Sequence, residues 1–143
     1  MKRLILLIAL ILPLGAMAQQ RSFEELSKRY STEKGCTTIE LSEAMLSSMG
    51  ANEGVERMQV IAVEQASLIE EFRASISEIT EGLEVMMSVN SGGESVAIYA
   101  RSDEQKQVVE LIVATFESDT GVLVRICGTN IDISNAGELL EEL

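Results

Sequence analysis

The stretch Val108-Val109-Glu110-Leu111-Ile112-Val113-Ala114-Thr115-Phe116, with Ser118-Asp119-Thr120-Gly121 and Val122-Leu123-Val124-Arg125-Ile126-Cys127 behind it, decides the fold. Periodicity alone lets the first apolar run be a buried helix or a buried strand. The tract Ser118-Asp119-Thr120-Gly121 settles the choice, because its turn chemistry leads straight into a second β-branched run. The two runs predict a hairpin whose first strand is apolar on both faces. On that ground Val108, Ile112 and Phe116 form a candidate interaction surface. The alternatives are that helices cover both faces, or that two copies of the chain meet through them.

Working outward, Leu83, Val85, Met87 and Val89 alternate with Glu84, Met86 and Ser88, as a strand requires. Asn90-Ser91-Gly92-Gly93 then predicts a tight turn into Val96-Ala97-Ile98-Tyr99-Ala100. Upstream, Ser67-Leu68-Ile69-Glu70 fits a capping box and opens a helix whose Leu68, Ile69, Phe72, Ile76 and Ile79 share one stripe. Met58 to Val63 and Cys36 to Leu41 read as strands. Ser42 caps a short helix bearing Ala44, Met45, Leu46 and Met49. Ser22 and Glu25 form a second capping box, before a helix carrying Phe23, Leu26 and Tyr30. Ser134 or Asn135 caps a last short helix ending in Leu139, Leu140 and Leu143. This order predicts an α+β fold: a largely antiparallel sheet of about five to six strands, with two to three helices packed on one face.

The N-terminus carries an address. Lys2 and Arg3 precede the apolar run Leu4 to Leu12, and Ala16-Met17-Ala18 supplies the small residues of a cleavage site. A secretory signal over 1–18, cut before Gln19, is the expectation. Of 143 residues, 125 then remain as one α+β domain, 19–143. The apolar run is too short to cross a bilayer comfortably, so no integral membrane segment is expected after cleavage. The expected location is the periplasm of a Gram-negative bacterium.

Composition narrows the chemistry. The chain holds 11 basic and 23 acidic residues. Losing Lys2 and Arg3 leaves nine against twenty-three, a net charge of −14. Such a chain repels phosphate backbones and anionic lipid, so nucleic acid is excluded as a partner class. Histidine is absent, which removes the commonest general base and the commonest imidazole metal ligand. There is no Gly-x-Ser-x-Gly, phosphate loop, dinucleotide fingerprint or EF-hand spacing. No cofactor is expected.

Cys36 and Cys127 are the only cysteines, and an oxidising compartment permits a disulfide between them. If their strands are neighbours, the bridge closes a loop of about ninety residues and contributes roughly 4 kcal/mol. Two unpaired thiols are the equal alternative. No Cys-x-x-Cys pair points to redox catalysis. Met45 and Met49, one helical turn apart, suggest either Cu(I) ligation or core filling, and the second is the ordinary use of methionine.

The Gly35 that precedes the Thr-rich strand, the Ser42 and Met45 after it, the middle helix, and the hairpin leading into Cys127-Gly128-Thr129-Asn130-Ile131-Asp132-Ile133 carry a resemblance. On these tracts the chain resembles a family of small exported Bacteroidetes proteins with an uncharacterised domain. The resemblance implies export and no assigned activity, and carries over no catalytic residue. The functional expectation is a non-enzymatic accessory or protein-interaction domain that contacts another envelope protein or a second copy of itself. The alternative is a periplasmic small-molecule or metal-binding protein using a cavity between helices and sheet. A hydrolase ranks third, for want of a triad or zinc motif.

Overall fold

The computed structural model describes residues 23–50 and 54–132. The chain runs α1 (23–31), β1 (Cys36–Leu41), α2 (Glu43–Ser48), β2 (Val55–Val63), a 3-10 turn at Ala66–Leu68, and α3 (Ile69–Ile79). Four strands follow: β3 (Glu84–Ser91), β4 (Glu94–Ser102), β5 (Val108–Phe116) and β6 (Gly121–Gly128). The six strands form one antiparallel sheet in the order β1-β2-β6-β5-β4-β3. Two locally connected sets make it up: β1 with β2, and the meander β3 to β6. The long-range pairing of β2 with β6, Val60 opposite Val124 and Ile61 opposite Leu123, joins them.

The α+β expectation holds, and much local chemistry is where the residues put it. The hairpin 108–127 forms with Phe116 opposite Gly121, and the Glu117 amide donates to the Thr120 carbonyl at 2.9 Å. Gly92 and Gly93 take φ of 57° and 86°, so a two-residue turn with left-handed backbone links β3 to β4. The Ser42 hydroxyl accepts from the Met45 amide to cap α2. One expectation fails: Ser67 caps nothing. The chain winds a 3-10 turn there, and α3 starts after Leu68 without a side-chain cap. Glu70 and Glu71 in its first turn complement the helix dipole instead. The signal 1–18, the Ser22 cap and the helix expected after Ser134 or Asn135 lie outside the described residues.

Two apolar layers sandwich the sheet. On one face, α1 (Phe23, Leu26, Tyr30) and α3 (Ile69, Phe72, Ile76, Ile79) pack on Ile61, Val63, Ile112, Ala114, Phe116 and Leu123. Phe72 is the hub, with ring centroids 5.1 Å from Tyr30 and 5.9 Å from Phe116, both edge-on. Gly121 makes room for it: a Cβ there would lie 2.8 Å from the Phe116 ring and 3.0 Å from Phe72. On the other face, Leu46 of α2 and Ile131 sit with Met58, Val60, Leu111, Val113, Val124 and Ile126.

The double layer overturns the surface expected at Val108, Ile112 and Phe116. Ile112 and Phe116 are buried under the helices, and Val108 is half-buried against the opposite cluster. The strand is apolar on both faces because both faces are core. Two helices about 10 Å wide cover roughly four strands spaced about 4.8 Å apart, so a six-stranded sheet outruns them. The uncovered end is β3, all eight residues of which are exposed.

Candidate functional site

The two cysteines do not meet. Cys36 lies opposite Val63 and Cys127 opposite Arg57, so they flank opposite ends of β2, which runs between their strands. Six residues along β2 separate those partners, about 20 Å at roughly 3.3 Å each. A disulfide requires Cα atoms within about 7 Å, so the pairing is geometrically closed and both thiols are free. Burial raises the pKa of each above the ordinary thiol range, Arg125 opposing the rise at Cys127. Both therefore stay protonated at neutral pH and are weak nucleophiles.

The sequence reading missed a row of charge across the helix-covered face. Arg125 donates to Glu110 at 2.5 Å and to Gln59 at 3.1 Å, and Arg101 donates to the same Glu110 at 3.2 Å. Gln59, Glu110 and Arg125 are buried, and the Arg125 guanidinium lies 5.3 Å from the centre of the Phe23 ring. Beside it Arg57 pairs with Glu40 at 2.7 Å and Glu24 at 3.6 Å, tying β2 to β1 and α1. The signal was present: once Phe116 is set opposite Gly121, Glu110 falls opposite Cys127 and Arg125 opposite Ile112, so the one acid in 108–116 and the one base in 122–127 become diagonal neighbours on one face. Each buried charge here has a partner and the aromatic lid closes over them, which is a structural arrangement rather than a reactive one.

Two features at the bare end of the sheet are open to ligands. The first is β3 itself, an edge strand whose outer side pairs with no other strand among the described residues. It carries exposed Val85, Met86, Met87 and Val89, and no charge between Glu84 and Glu94. The second is a cleft of about 320 Å³ where α3 stops short of β3 and β4. Arg73, Ile76 and Ser77 form its wall, and Ser88, Asn90, Ser95, Ala97 and Tyr99 its floor, beside Phe116. Along these strands the helix-side positions change from Ile and Phe to small hydroxyl and amide side chains as cover is lost.

Methionine divides between the two kinds of place. The core-filling expectation fails at Met45 and Met49, which are exposed on a six-residue helix and at its C-cap, as are Met86 and Met87 on β3; Met58 is buried in the core. Among the described residues, no three His, Cys, Asp or Glu side chains gather as a metal site would need. Nor is any described helix long and apolar enough to cross a membrane.

A family model described as a domain of unknown function, DUF4252, matches residues 30–139. The chain belongs to that family. The DUF4252 match takes in every strand of the sheet with α2 and α3, so Gln59, Glu110 and Arg125, the β3 edge and the cleft lie within it, whereas Phe23 and Glu24 of α1 lie outside. Searches of curated proteins and of solved structures found no match for the chain.

Proposed function

We propose that this DUF4252 protein is an exported, non-enzymatic accessory domain that works by binding an extended segment of another envelope protein along β3. The observation that carries this reading is the edge strand. A long apolar edge is a hazard that natural proteins usually blunt with charge, proline, a bulge or a cover. Val85 to Gly93 has no charge, no proline and no cover among the described residues, although 24% of the chain is charged, and beyond a register shift between Val85 and Met87 its pairing runs regularly to Ser91. An added strand would gain main-chain hydrogen bonds from β3 and pack alternate apolar side chains against Met87 and Val89, which lie across from Ile98 and Val96.

Charge favours a different protein over a second copy. Antiparallel pairing of two β3 strands brings Glu84 of each chain toward the turn and Glu94 of the other, acid against acid at both ends. The occupant that fits is an apolar strand flanked by Lys or Arg. Export rests on Lys2-Arg3, the apolar run behind them and Ala16-Met17-Ala18. The absence of histidine and of the usual catalytic motifs supports a binding role.

Site-specific photo-crosslinking from position 88 in native cells tests the reading. The expected result is a discrete adduct with one envelope protein, reduced at least tenfold by Met87→Lys with Val89→Lys while the melting temperature stays within a few degrees. An adduct indifferent to those charges, or a β3-dependent homodimer, overturns it. Export is checked separately: periplasmic protein beginning at Gln19 is expected, and full-length cytoplasmic protein refutes that part.

A further inference from the structure

We infer that the cleft between α3 and the β3–β4 ladder is a binding site for a small organic carboxylate, held by Arg73. Five arginines fall among the described residues. Four are paired: Arg29 with Glu71, Arg57 with Glu24 and Glu40, Arg101 with Glu110, and Arg125 with Glu110. Arg73 alone among them has no carboxylate within ion-pair distance, in a chain where acids outnumber bases twofold. Its guanidinium is held 4.2 Å from the centre of the Phe116 ring. Stacking on an aromatic face leaves the in-plane N–H groups free, and that fork matches a carboxylate.

The surroundings fit the same ligand. Among the described residues Arg73 is the only charged side chain lining the cleft, so no described acid competes for it there. Ser88, Asn90 and Ser95 line the floor with hydroxyl and amide groups able to donate to an anion's remaining oxygens. Half-buried Tyr99, with buried Ile76 and Phe116 beside it, gives the cleft an apolar side for the rest of the molecule. A volume of about 320 Å³ suits a ligand the size of one substituted ring, not a long acyl chain. The anchor belongs to α3 rather than to the outer side of β3, so this site stands independently of strand addition at the edge.

Benzoate is the probe, with benzamide as its uncharged counterpart and inorganic phosphate as an anion without an apolar body. Chemical-shift titration of the 15N-labelled protein is expected to show saturable benzoate shifts confined to α3, β3 and β4. Benzamide and phosphate should each bind at least tenfold more weakly. Arg73→Gln should weaken benzoate at least tenfold, Arg73→Lys less, and Ala97→Leu, which fills the floor, should abolish the shifts. Unsaturable benzoate shifts, equal binding of benzamide, or an unchanged affinity in Arg73→Gln overturns the site. Because no β3 partner enters this assay, its failure would leave the edge-strand reading standing, and the converse holds.

Discussion

The covered part of the sheet and its bare end are built from the same kind of strand, and differ in what lies on top. In β5, flanked by β4 and β6, the run from Glu110 to Val113 is buried, with Ala114 and Phe116 beyond it, because helices and loops close both faces. In β3, at the edge, Val85, Met87 and Val89 alternate in the sequence yet stay exposed, and a register shift between Val85 and Met87 sets Val85 opposite Tyr99 and Met87 opposite Ile98. Alternation therefore marks a strand and says nothing about its cover. Stability is concentrated in the first region and ligand access in the second.

Truncation should break this contrast most sharply. Phe72→Ala removes the ring that joins Tyr30 to Phe116 and is expected to cost about 3–5 kcal/mol by chemical denaturation. Met87→Ala at the bare end should stay within about 0.5 kcal/mol; equal losses would show that β3 is covered in solution. Next in size, Glu110→Ala takes the carboxylate from the buried Arg125, leaving it the Gln59 amide oxygen, and should cost about 3–5 kcal/mol. The exposed counterpart Glu40→Ala, beside Arg57, should cost no more than about 1 kcal/mol.

A glycine pair sharpens the comparison further. Gly121→Ala drives a methyl into Phe116 and Phe72 and is expected to cost about 1–3 kcal/mol. Gly93→Ala meets no atom within 4 Å, so its penalty, about 1–2 kcal/mol, comes from its φ of +86° alone.

Smaller still is the thiol effect. The folded-state pKa of Cys127 lies above its unfolded value, so the folded chain holds that proton longer. Its contribution is complete below the ordinary thiol range and is lost as pH rises through the raised value, so stability should fall on the alkaline side. Cys127→Ser should flatten that slope in urea titrations from neutral to alkaline pH, and two titratable thiols should appear in the unreduced protein. The smallest effect is at Tyr30, whose buried hydroxyl has no hydrogen-bond partner. Tyr30→Phe should be neutral, or stabilising by up to about 1 kcal/mol.

Legibility followed the range of the interaction. The strand Cys36–Leu41, the Ser42 cap, the Gly92-Gly93 turn and the hairpin 108–127 rest on contacts between near neighbours, and each was readable. The β3 strand was readable as a strand, but not as the open edge. The cleft was foreseen only as a cavity between helices and sheet, because Arg73 and Ser88 come together only when α3 packs on the meander. Ser67 and Glu70 matched a capping box and formed none, since the chain leaving β2 winds a 3-10 turn at that point.

What the sequence determined by itself is the inventory of elements and the class of fold. Side-chain period, turn residues and caps act over a few residues and need no distant partner. It also determined the acidity of the chain and the want of histidine. Only the tertiary structure decided that β2 pairs with β6. That single long-range ladder puts a strand between Cys36 and Cys127 and buries Ile112 and Phe116 at the centre. It also leaves β3 at the margin, where an apolar edge and an unpaired arginine meet solvent.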